Sequence, residues 1–64
     1  MGVMDPNAAL KEIRELIEAI DREDDYEKLQ TLAVELATVV EGLDGWLSQG
    51  GFLPAAWADV RGQG

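Results

Sequence analysis

"LQTLAVELATVV", residues 29–40, carries one charge, Glu35, in an otherwise uncharged run. Extended in both directions, Tyr26, Leu29, Ala33, Leu36, Val40, Leu43 and Leu47 alternate steps of three and four residues over three heptads. That spacing keeps one stripe of a helix facing a partner helix. Leu32, Val39 and Trp46 lie seven apart and widen the stripe on one side, while Val34 and Ala37 lie off it. A helix that is apolar around most of its girth is buried on more than one side. One short partner cannot cover it. The sequence therefore predicts a long helix over about residues 25–48 that sits inside an oligomer.

The partner helix lies upstream, at about residues 6–21. Asp5 is placed to cap it, and Pro6 suits a first helical position, where its missing N–H has no bond to make. Leu10, Ile13, Ile17 and Ile20 form its apolar stripe, and Glu12, Glu15 and Glu18 lie away from that stripe. Arg14–Glu18 and Glu18–Arg22 are neighbours four apart, each pair worth a few tenths of a kcal/mol. Between the helices, "DREDDYE" (21–27) reads as an acidic turn, with Asp24 and Glu27 as a variant capping box. An EF-hand reading fails: counted from Asp21, its glycine and glutamate places hold Tyr26 and Leu32.

Downstream, Gly42 and Gly45 interrupt the long helix, and Gly50–Gly51 end it, with Gly50 as the left-handed residue just beyond. Pro54 restarts order, so that "PAAWADV" forms one or two helical turns, and "RGQG" reads as loose.

Composition narrows the function classes. At 64 residues the chain is one domain (1–64), of a size that buries only about 60% of its unfolded surface and needs support. It has no cysteine and no histidine, which removes disulfides, thiolate chemistry, the commonest metal ligand and the commonest general base. Association is the support left. Thirteen acidic residues against five basic give a net charge of −8, which repels nucleic acid and anionic membranes. "MGVMDPNAAL" lacks the basic and apolar regions of a signal peptide, and no stretch approaches the roughly 20 apolar residues of a membrane span. The expectation is a cytoplasmic protein, with no membrane and no nucleic-acid partner.

Three of the four aromatic side chains fall in "GWLSQGGFLPAAW" (45–57). Either the chain reverses at Gly50–Gly51 and folds Phe52, Leu53 and Trp57 back near Trp46, or these residues form a docking motif, since aromatics dominate binding hot spots. Packing within the protein or across its own oligomer is the reading adopted. Trp46, Phe52, Leu53 and Trp57 are the candidate partner contacts. The pattern W-L-x-x-G-G-F-L-P-x-x-W over residues 46–57 resembles short uncharacterised proteins of actinobacteria and their phages, across about a fifth of the chain. That resemblance implies a lineage and no reaction.

Glu12, Glu15, Glu41 and Asp44, as E-x-x-E and E-x-x-D on two helices, resemble the magnesium site of the MazG-like all-α nucleotide pyrophosphohydrolases. Magnesium demands converging oxygen ligands. Here the first pair points away from the helix partner and the second flanks the seam. Ser48, the only serine, has no histidine to activate it, and no P-loop is present. A DNA mimic is a further alternative, through a partial acidic row of Glu12, Glu15, Glu18, Asp21 and Asp25 interleaved with Lys11 and Arg14.

The sequence thus predicts an all-α, non-enzymatic protein with no cofactor and no metal. Its architecture is an antiparallel helical hairpin with a short C-terminal extension at 50–60, pairing into a four-helix-type bundle. A homodimer is preferred over a larger oligomer, through Leu29, Leu32, Leu36, Val39, Val40 and Leu43. The function expected is protein–protein interaction or regulation, including by a phage protein on a host target.

Overall fold

A computed structural model describes residues 5–62, with side chains described through residue 58. Residues 1–4 and 63–64, which include parts of the leader and loose-end expectations, lie outside the described residues. The elements are α1 (Pro6–Arg22), α2 (Tyr26–Ser48) and α3 (Ala55–Gly62). α1 and α2 pack against each other as a hairpin.

Local chemistry explains each boundary. Asp5 has extended backbone and its carboxylate accepts from the Asn7 amide at 3.0 Å, with Pro6 opening the helix. α1 ends at Glu23, whose N–H donates to the Ile20 carbonyl at 3.2 Å. α2 starts one residue later than the capping-box reading placed it. Its cap is Asp25, whose carboxylate accepts from the Glu27 amide at 2.8 Å. Asp24 lies between, and the Glu23 carboxylate accepts from the Asp25 amide at 3.1 Å. Each helix end thus finds an acceptor for one of its orphan amides. α2 continues through Gly42 and Gly45 without a break.

The phase of both apolar stripes differs from the sequence expectation. On α1, Ala9, Leu10 and Leu16 are buried and Ile13 and Ile20 half-buried, whereas Ile17 is 46% exposed. On α2, Leu43 is buried, and Leu29, Leu32, Leu36, Val39, Trp46 and Leu47 are half-buried. Tyr26, Ala33 and Val40 are exposed. α2 therefore turns its Leu32–Val39–Trp46 side toward α1 instead of its Ala33–Val40 side. Bulk decides between the two: Leu32 and Val39 bury more apolar area than Ala33 would in the same place.

The tail then crosses to the free end of the hairpin. The Ala55 amide donates to the Asn7 Oδ1 at 2.7 Å, tying the start of α3 to the first turn of α1. Pro6 and Pro54 are the fully buried side chains there. Leu10, three residues beyond Asn7, is buried. α3 reaches Gly62, further than the one or two turns and loose "RGQG" expected. The chain measures 40 × 30 × 16 Å. Its least dimension leaves room for a single layer of helices, each about 10–12 Å across with side chains.

Candidate interaction surface

The aromatic corner at the end of α2 is built by two glycines and one indole. Gly50 adopts φ +93°, in the left-handed region. Its N–H donates to the Leu47 carbonyl at 3.1 Å, and the Gly51 N–H donates to the Trp46 carbonyl at 2.9 Å. These paired bonds are the Schellman arrangement. Gly51 is glycine for a different reason: a β-carbon there would overlap the Trp46 indole. The indole Nε1 donates to the Phe52 carbonyl at 2.9 Å, and the Phe52 ring meets it edge-on, centroids 5.4 Å apart at 88°. Trp46 is thereby half-buried and fully bonded within its own chain.

Of the four candidate contacts, the corner brings Trp46 and Phe52 together. Leu53 is half-buried beside them in sequence, while Phe52 is 61% and Trp57 38% exposed. Of the six candidate interface residues, Leu29, Leu32, Leu36, Val39 and Leu43 lie on the α2 side that meets α1. Val40 alone of the six is exposed, at 45%.

Beside Val40 lies a surface that shares Tyr26, Ala33 and Val40 with the expected seam. At 100° per residue, Tyr26, Ala33, Ala37, Val40 and Asp44 fall within a 60° arc on one flank of α2, and all are exposed. In an antiparallel pair of right-handed helices, this flank and the α1 flank bearing Ile17 share one face of the hairpin. The opposite face carries Glu12, Lys28 and Glu35. It also holds an open groove of about 400 Å³ lined by Glu23, Glu27, Lys28, Thr31 and Leu32. One face is charged and the other largely apolar. The signal for this face was present in the seam residues Tyr26, Ala33 and Val40, with Ala37 off the seam, but their side relative to α1 depends on the helix phase.

The carboxylates do not converge. Glu12, Glu15, Glu41 and Asp44 are exposed, and among the described residues no group of three or more acidic side chains is placed to hold a metal ion. The row Glu12–Glu15–Glu18–Asp21 steps by three, so it winds backward around α1 by about 60° per step instead of lying along one face. The one ion pair among the described residues joins Arg22 to Glu18 at 3.9 Å, with both side chains mostly in solvent. Among the described residues no helix is long and apolar enough to cross a membrane.

Comparison with protein-family models, with curated proteins and with solved structures gives no match to this chain.

Proposed function

We propose that this chain is a small, non-enzymatic protein–protein interaction module of the cytoplasm that works as a homodimer, two hairpins forming a four-helix-type bundle. One observation carries the reading: α1 and α2 pack on each other as one pair of helices, with Ile17, Val34 and Val40 standing in solvent. Domains are stabilised by packing two layers around a core, and this chain supplies one. A second hairpin provides the other layer and completes the cover of Leu29, Leu36 and Val40. Outward, the dimer presents an acidic surface, to which a net charge of −8 per chain contributes, together with the exposed rings of Phe52 and Trp57 as contacts for a further protein.

Sedimentation equilibrium at two micromolar concentrations tests the association. The expected result is a species of twice the 7.0 kDa chain mass that dissociates on dilution with loss of helicity. A fully helical 7.0 kDa species at both concentrations would remove the proposal.

A further inference from the structure

The flank of α2 that holds Ala33 and Ala37 has a symmetry of its own, and it specifies how a second copy sits. About a centre at Glu35, Ala33 mirrors Ala37 and Tyr26 mirrors Asp44, since each pair of positions is equidistant from residue 35. On the helical wheel Tyr26 and Asp44 share one direction, and Ala33 and Ala37 lie about 20° to either side of it. We infer that this flank is the dimer contact, with α2 packed antiparallel on α2 of a second copy, the two alanines of each chain crossing at the centre. The inference rests on the homodimer reading and adds its surface and orientation.

Charge separates the two orientations. A parallel pairing about the same flank sets each Asp44 against its own copy and each Tyr26 against its own copy. The antiparallel pairing sets the Tyr26 hydroxyl, a donor, against the Asp44 carboxylate of the second copy at both ends. Tyr26 is 86% exposed and makes no use of its hydroxyl among the described hydrogen bonds. Antiparallel pairing also opposes the helix dipoles favourably. At the centre, alanines let the backbones approach to about 8 Å between axes, the near end of the usual range.

On this flank Tyr26 is 86% and Val40 45% exposed, so a second copy has apolar area to cover there. The charged face opposite, with Glu12, Lys28 and Glu35, is the poorer surface for a copy of the same acidic chain.

Because the chain has no cysteine, Ala33→Cys and Ala37→Cys report the geometry directly. In the antiparallel pair, residue 33 faces residue 37 of the second copy with Cα atoms within disulfide range, about 4.4–6.8 Å. Like positions are displaced along the axis by four residues, about 6 Å. An equimolar mixture of the two variants, oxidised after mixing, should therefore give mainly the mixed disulfide. Dominant like-with-like disulfides would overturn the antiparallel assignment. A dimer that forms neither would show that another face pairs, leaving the homodimer intact. A monomeric wild-type chain would remove both. Ala37→Glu is the companion variant: it should raise the dissociation constant at least tenfold, with helicity lost in step with dissociation, and Thr31→Glu on the other face should not. Equal effects of the two would also overturn the assignment.

Discussion

Gly51 shows how a single hydrogen atom governs the end of α2. Its amide closes the Schellman pair on the Trp46 carbonyl, while the Trp46 ring occupies the volume of the missing side chain. The ring is not free to yield, because its Nε1 is bonded to the Phe52 carbonyl and it meets the Phe52 ring in a T-shaped contact. Gly51→Ala must then displace the indole, at the cost of overpacking, about 1–3 kcal/mol. The loss includes the net value of one hydrogen bond, about 0.5–1.5 kcal/mol. The expected outcome is a lower urea midpoint with tryptophan emission shifted to the red in the folded state. Gly50→Ala differs in mechanism: it meets open space and suffers only from its left-handed φ, so it should destabilise without moving the emission. A Gly51→Ala chain with unchanged emission would mean that the ring does not rest on the glycine.

At the scale of the helices, the start of α2 separates two adjacent aspartates that composition cannot tell apart. Asp25 accepts from the Glu27 amide at 2.8 Å, and Asp24 accepts from no described amide. Replacing a capping aspartate by alanine costs about 1 kcal/mol, so Asp25→Ala should lower the melting temperature by several degrees and Asp24→Ala should leave it nearly unchanged. Thermal circular dichroism of the two variants distinguishes them, and a larger loss at Asp24 would reverse the assignment. The same register error shows what the sequence could reveal. Asp5, Pro6 and Gly50 act through their immediate neighbours, and their roles were legible. So were the hairpin and the extents of α1 and α2. The helix phases were not. Two seams run through α2, one through Ala33 and Val40 and one through Leu32 and Val39, and both satisfy the three-four alternation. The choice between them depends on what α1 brings opposite. On α1, Leu10 belongs by periodicity with Ile17, yet Leu10 is buried and Ile17 is 46% exposed. Counting Leu10 among the α2-facing residues drew the stripe toward Ile17 and away from Leu16. The Trp46–Phe52 corner was foreseen as a fold-back, but the Asn7–Ala55 bond that anchors the tail spans 48 residues and left no local signal. Leu36→Glu is a poor probe of association for a related reason. Leu36 is already half-buried on the α1 side, so a charge there disrupts the hairpin whether or not a second copy is present.

For the whole molecule, the proposed homodimer makes stability and assembly one quantity. A hairpin whose buried apolar side chains among the described residues are Pro6, Ala9, Leu10, Leu16, Leu43 and Pro54 has little margin alone. In a dimer that folds as it pairs, mass action sets the melting temperature. Tenfold dilution removes about 1.4 kcal/mol of association free energy, which shifts the midpoint of a bundle this size downward by on the order of 5 °C. Salt should act in the opposite sense to the usual surface-ion-pair case. Each chain carries −8, so pairing brings like charges together, and added salt screens that repulsion within a Debye length of about 10 Å at 0.1 M. Little is lost in exchange: the Glu18–Arg22 pair is solvent-exposed, and such pairs contribute at most a few tenths of a kcal/mol. Melting curves at two protein concentrations, each at low and at raised sodium chloride, should therefore rise with both variables. Salt should narrow the gap to full association most at the lower protein concentration. A midpoint indifferent to dilution and lowered by salt would describe a self-sufficient monomer held by its ion pairs and would overturn the proposed homodimer.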